Sequence, residues 1–188
     1  LEDQNLDIER NLKKLTSKAT IIEVENHKLG PVHAIIQSRN YINLSEEVIV
    51  NYCDFDWRWD YKEFKKWLSN ERPDAAICVY KNFQPHYINP ATYAYVNHDQ
   101  HNLLELREKQ SFTKYREEEP AASGTFYFSS GKNLLDSCEW LVQKKLKVNN
   151  EYYVSMLFNY FAINNYRTLI YYISHFMQWG TPEDLEEF

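Results

Sequence analysis

Glycine is scarce in this sequence: there are four in 188 residues, and no two lie close together. A loop that cradles phosphate needs clustered glycines so that backbone N–H groups can approach the anion, and no such loop is written here. Cysteine is scarce as well. Cys53, Cys78 and Cys138 are an odd number, far apart and set among apolar neighbours. That excludes a disulfide framework and zinc-type spacing, and implies a reduced, cytoplasmic chain. Positive charge is in deficit, with 21 Lys and Arg against 27 Asp and Glu and a net charge of −6. A nucleic-acid partner would need a basic stripe, so none is expected. No apolar run approaches the ~20 residues that span a bilayer, and no signal peptide opens the sequence, which argues against membrane insertion. There is no Ser-His-Asp arrangement, no cysteine with a neighbouring base and no histidine-rich metal cluster.

What the chain does have is aromatic residues, 16% of the total with fifteen Tyr, and enough length for one domain with a substantial core, spanning 1–188. It opens at Leu1 without an initiator Met, directly in a helical pattern, and closes at Phe188 in another. The expectation is a chain truncated at both ends.

Apolar residues recur at helical spacing through 3–16, and Thr20 to Val24 reads as a short strand. Gly30 and Pro31 form a turn into a helix, with Pro31 at the first helical position where its missing N–H costs nothing. Residues 48–53 then form a near-continuous apolar run. Such a run predicts a central strand buried on both faces, as in a parallel sheet. Asp60 caps a helix over 61–69, and 75–80 is a second buried strand beside the first. Strand, helix, strand, helix, strand is the grammar of a parallel α/β sheet. Beyond Lys81 the pattern predicts strands over 92–97, 103–109 and 122–128, helices over 133–146 and 151–163, and a last strand over 167–173. The fold class expected is therefore α/β, with a mixed, mainly parallel central sheet and flanking helices.

Asp54 and Asp56 follow the central run and stand two residues apart, so in extended backbone their carboxylates share a face. Paired hard oxygens at the carboxyl end of a strand suit Mg²⁺ or Mn²⁺ carrying phosphates; an acidic loop after a core strand has the same pattern. Lys109 can hold a phosphate as a point charge while Glu108 accepts from sugar hydroxyls, although Glu-Lys pairs are commonly surface. Gly30 permits close approach of a ligand or simply makes a turn, and Gly124 within a strand suggests close approach of a ligand or another backbone. His86, in a loop with two prolines, can donate to a phosphate or sit on the surface. Glu151, at the start of its predicted helix, either interacts with the helix dipole or binds substrate hydroxyls.

Several segments come in an order that resembles a known family. They are Asn51 to Phe55, Phe83 to His86, Arg107 to Gln110, Ser123 to Phe128 and His175 to Leu185. The chain resembles the sugar-phosphate nucleotidyltransferases of the GT-A-like fold, in particular those encoded with bacterial capsule and surface-polysaccharide genes. The resemblance implies a cytoplasmic enzyme that joins a nucleoside triphosphate to a sugar 1-phosphate and releases pyrophosphate. It assigns Asp54 to magnesium, Glu108 and Lys109 to the sugar and its phosphate, Gly30 to the region against the base, Gly124 to the sugar pocket and Glu151 to sugar hydroxyls. The family's glycine-rich signature on its first strand, with an Arg and a downstream Lys-Pro, has no counterpart, so the fold is expected to lack that strand. The family's second metal-binding aspartate aligns with Gln178, whose amide oxygen coordinates without charge.

Two alternatives belong beside this reading. One is a metal-dependent glycosyltransferase of the same fold, using Asp54 and Asp56 as an Asp-x-Asp pair. The other is a catalytically inactive fragment or binding module. An exposed sheet edge would favour a homo-oligomer.

Overall fold

The two stretches in which every side chain is buried, Ala75–Tyr80 and Ala121–Phe128, are the ones on which the sheet is built. The computed structural model describes residues 2–81, 93–180, 182 and 186, with backbone alone for 2–8. In chain order its elements are α1 (Glu2–Leu15), α2 (Pro31–Gln37), β1 (Val48–Asn51), β2 (Phe55–Arg58), α3 (Tyr61–Glu71), β3 (Ala75–Tyr80), β4 (Ala94–Asp99), β5 (Asn102–Glu108), β6 (Ala121–Phe128), α4 (Gly131–Gln143), α5 (Leu157–Ile163), β7 (Thr168–Tyr172) and β8 (Ser174–Gln178).

Six strands form one sheet in the order β1-β6-β3-β7-β5-β4, and a further pairing of β6 with β4 closes five of them into a ring. Strands β2 and β8 make a separate two-stranded ribbon. Side-chain alternation sorts the sheet residues into two cores. Ala75, Ile77 and Val79 of β3 join Phe126 and Phe128 of β6 against α2, α4 and α5. Ala76, Cys78 and Tyr80 face the other way, against Phe64 and Leu68 of α3 and the ribbon residues Trp57 and Phe176. The ribbon is anchored by Phe176, whose ring stacks on Tyr80 at 4.2 Å between centroids.

This architecture departs from the sequence reading in four ways. The sheet is mixed but not mainly parallel: β3 with β7 is the one parallel pair among the described strands, and the rest are antiparallel. Residues 48–53 are not a central strand beside β3. Only Val48–Asn51 is extended, it lies at the edge paired to β6, and Val48, Ile49 and Val50 are half-buried. A β-branched run looks alike in both settings, because half-burial against one partner already rewards those residues. Thr20 to Val24 joins no sheet. Finally, β7 is not the last strand, since β8 follows after a single residue.

Local predictions fared better where the signal was capping chemistry. Asp60 accepts from the backbone N–H groups of Lys62 and Glu63 at 2.9 and 3.0 Å, which satisfies two of the free donors of α3. That helix ends with Arg72 in left-handed backbone, its N–H bonded to Leu68 O at 2.8 Å. Cys78 and Cys138 are buried and Cys53 is exposed, with no disulfide among them. Burial pushes the Cys138 thiol up to about 12, so it behaves as a small apolar side chain.

Asp60→Ala removes the cap of α3 and leaves both N–H groups to water. It is expected to lower unfolding stability by about 1 kcal/mol, measured as a drop in the urea midpoint with unchanged slope.

Candidate functional site

The site assembles where the end of β5 meets the segment 151–155 through side-chain contacts. Two residues before Glu108, the side chain of Asn159 on α5 grips the Leu106 peptide, accepting from its N–H and donating to its carbonyl, each at 2.9 Å. That amide replaces a missing strand neighbour and fixes the position from which Glu108 and Lys109 emerge. Lys109 takes left-handed backbone (φ 56°), and its N–H donates to Tyr93 O at 2.9 Å.

The segment 151–155 comes after a turn. Asn149 and Asn150 both have positive φ, 50° and 66°, and Val148 and Glu151 exchange two backbone hydrogen bonds of 3.1 and 2.9 Å across them. This is the geometry of a two-residue hairpin turn, for which asparagine is among the best-suited residues. Two residues further on, the backbone turns again, with Tyr153 O accepting from Met156 N–H at 3.2 Å. Tyr152 and Val154 are buried in the core, whereas Glu151, Tyr153 and Ser155 turn toward Glu108 and Lys109. The Ser155 hydroxyl donates to the Glu108 carboxylate, Lys109 Nζ donates to the Tyr153 hydroxyl at 2.7 Å, and that hydroxyl donates to Glu151. The expected helix start at Glu151 is therefore absent, and with it the helix-dipole role: α5 begins at Leu157. Its apolar spacing runs backward into a segment that turns, with Tyr153 O and Val154 O accepting from Met156 and Leu157 N–H.

Gly30 sits beneath this segment. Leu29 O accepts from Tyr152 N–H at 2.9 Å and Tyr152 O accepts from Val32 N–H at 3.2 Å. A Cβ on Gly30 would lie 2.8 Å from Tyr152 O, and its φ is +83°. Gly30 makes the expected turn into α2, and the same conformation lets Tyr152 approach its backbone closely. Gly124 too is closely approached. Its φ is +95°, and a Cβ there would come within 2.6 Å of the Phe55 ring and 3.2 Å of the Tyr52 ring.

Tyr52 links the two halves of the site. Its N–H donates to Gly124 O at 3.1 Å. Burial raises the phenol's pKa, a backbone hydrogen bond from Val154 opposes that, and the charges of Glu108 and Asp54 raise it further. The hydroxyl therefore lies within electrostatic reach of both carboxylates. Asp54 is exposed. Its carbonyl accepts from Trp179 N–H at 2.8 Å, and Phe55, the next residue, lies opposite Gln178 in the ribbon. Asp54 Oδ2 and Gln178 Nε2 fall 3.5 and 3.6 Å from the position a Gly180 Cβ would occupy. The Gln178 atom on this side is the amide nitrogen, a donor, while its Oε1 is buried, so Asp54 supplies the one exposed hard oxygen of the two residues here. Asp56 is used differently: it is exposed on β2, and its Oδ1 accepts from the backbone N–H of Trp57 at 2.7 Å. Among the described residues, no group of three or more His, Cys, Asp or Glu is placed to hold a metal. His86 lies outside the described residues.

The structure thus gathers Glu108, Lys109 and Glu151 directly, packs Gly30 against Glu151 and Tyr152 and Gly124 against Phe55 and Tyr52, and sets Asp54 beside Gln178. Sequence reasoning missed Tyr52, Tyr153 and Ser155. No period-two signal marks the last two: Tyr152, Val154 and Ser155 are all buried, and the helical spacing that follows masks the turn.

Burial raises the pKa of the Glu108 carboxyl, the Ser155 hydrogen bond and Lys109 oppose this, and Glu151 adds to it. An acid whose pKa is raised on folding gives stability that is complete below its unfolded value. That stability is lost as pH rises through the folded value. Glu108→Gln loses nothing over that range, so the variant should match the wild type near pH 4 and exceed it in urea midpoint at pH 7.

No protein-family model matches the chain, and no curated protein matches it. Solved structures do. A nucleoside-diphosphate-sugar pyrophosphorylase from Vibrio cholerae superposes over 98% of this chain and 75% of its own, with a TM-score of 0.77 and 12% identity. A protein from Bacillus anthracis, provisionally assigned as a glucose-1-phosphate thymidylyltransferase and crystallised with a sucrose, covers 88% of this chain with a TM-score of 0.66 and 14% identity. This chain spans 61% of that one. No described helix is long and apolar enough to cross a membrane. The chain shares the fold of these two structures.

Proposed function

We propose that this chain forms the sugar-phosphate half of a nucleotidyltransferase. The enzyme would join a nucleoside triphosphate to a sugar 1-phosphate, giving a nucleotide sugar and pyrophosphate for surface-polysaccharide synthesis. The observation that carries the reading is the convergence of Glu108 and Lys109 with Glu151 in a chain with this fold, with Tyr52 in electrostatic reach of both Glu108 and Asp54.

In this role Lys109 holds the sugar phosphate, while Glu108 and Glu151 accept from ring hydroxyls. Two carboxylates, Glu108 and Glu151, accompany one lysine in this cluster, and a divalent cation would help balance the charge of bound phosphates. Asp54 would hold Mg²⁺ or Mn²⁺, which would neutralise charge on the phosphates as the α-phosphorus is attacked. No protein nucleophile is required: catalysis rests on in-line placement of the phosphate oxygen and on electrostatic stabilisation. The 188 residues hold no glycine-rich cradle for the triphosphate, so this chain supplies binding and orientation of the acceptor. The glycosyltransferase alternative depends on Asp56 as a metal ligand; that carboxylate is exposed, with Oδ1 accepting from Trp57 N–H.

The test is pyrophosphate release from mixtures of nucleoside triphosphates, sugar 1-phosphates and Mg²⁺. The chain by itself is expected to give no measurable release, and the whole product of its gene to give release that Lys109→Ala and Asp54→Asn each cut by about a hundredfold or more. Consumption of a sugar nucleotide with transfer to an acceptor, without pyrophosphate release, would replace this reading by the glycosyltransferase one.

A further inference from the structure

We propose that Tyr153 is a positioning residue for Lys109: its phenol couples the lysine ammonium to the Glu151 carboxylate and holds the ammonium in one place at the mouth of the site. The proposal deepens the sugar-phosphate reading, on which its functional consequence rests.

The direction of the chain of hydrogen bonds is dictated by chemistry. An ammonium has three donors and no acceptor, so the phenol oxygen must accept from Lys109. The phenol's single proton is then free to go to Glu151, an ionised acceptor. Donating to a carboxylate makes the phenol oxygen a better acceptor for the ammonium, so the two bonds strengthen each other. The phenol also keeps its proton: burial first, then the hydrogen bond and charge of Glu151, raise its pKa.

Both ends of the relay stand on fixed backbone. Tyr153 lies between buried Tyr152 and Val154, and Tyr152 is tied to the Gly30 turn through both of its peptide groups. Lys109 follows a strand clamped by Asn159 and is itself bonded to Tyr93 O. A lysine side chain has four rotatable bonds, and a free ammonium would sample many positions. Held by Tyr153, it keeps two N–H donors for an anionic group, and Glu151 keeps one carboxylate oxygen for a hydroxyl. The relay therefore selects a ligand that carries an anion and a hydroxyl on one rigid frame, and it fixes how far apart they must be.

Two measurements on the 188-residue chain test this. The first is acylation of lysines by acetic anhydride, followed residue by residue by mass spectrometry, with exposed Lys66 and Lys144 as internal references. Tyr153→Phe keeps the ring and removes the hydroxyl; labelling of Lys109 is expected to rise about tenfold while the references stay constant. Should that variant fail to fold, Glu151→Gln keeps the phenol and its packing, and a smaller rise at Lys109 is expected. The second is the Kd for glucose 1-phosphate. Tyr153→Phe should weaken it about tenfold, and Tyr153→Phe combined with Lys109→Met should be no weaker than Lys109→Met alone, the signature of coupled residues. Unchanged Lys109 labelling, or losses that simply add, would overturn the proposal. If labelling responds as expected but Lys109→Met leaves glucose 1-phosphate binding untouched, Tyr153 still positions Lys109, and it is the sugar-phosphate reading that falls.

Discussion

Main-chain pairing of β6 is the constraint on which the rest of this structure depends. All eight of its residues are buried, and its N–H and C=O groups must find partners there or cost free energy. It finds them in β1, β3 and β4. Two steps along β3, from Ile77 to Val79, match four along β6, from Phe126 to Ala122. The extra residues bulge around Gly124, where φ reaches +95°, and the Ser123 hydroxyl donates to Cys78 O in compensation. Bulges of this kind bend a strand and redirect what lies against it. Here the bend lets the Phe55 and Tyr52 rings settle on the strand, which seats the turn carrying Asp54.

The aromatic content follows from the same arrangement. A ribbon of two short strands is marginal alone, and β2 and β8 persist because Trp57 and Phe176 lie on the aromatic side of the sheet. The stacking of Phe176 on Tyr80 and its contact with Phe55 connect the core to the residues that flank Asp54. Packing and site geometry are thus continuous: the rings that bury apolar area also set where the acidic turn can be.

Around Glu108 the balance runs against stability and toward binding. A carboxyl group whose pKa is raised by burial is held at a cost at neutral pH, and Ser155 and Lys109 return only part of it. Sites that hold charge in partly desolvated surroundings are commonly functional. The fold shared with the two solved structures at 12–14% identity shows how little of such a framework depends on particular side chains, and why function must be argued from the residues at the site.

The sequence by itself determined the features whose causes are local. Asp60 reads as a helix cap because its carboxylate reaches N–H groups two and three residues on. Residues 75–80 read as a buried strand because six consecutive small or apolar residues have few other uses. Pro31 after Gly30 reads as a helix start because the ring pre-sets the first helical φ. The ordered set of Asp54, Glu108, Lys109, Gly124 and Glu151 was legible as candidates. Contacts distant in sequence put β1 at an edge, make most pairings antiparallel, and lead the chain through turns at 151–155 where its spacing suggested helix. Strand neighbours and directions are set by contacts between residues far apart in sequence, such as Asn159 with Leu106 and Tyr152 with Leu29. A one-dimensional pattern of apolar residues states that a segment is buried, but not against what; that is why Tyr153 came to light only when β5 and the Asn149–Asn150 turn were seen side by side.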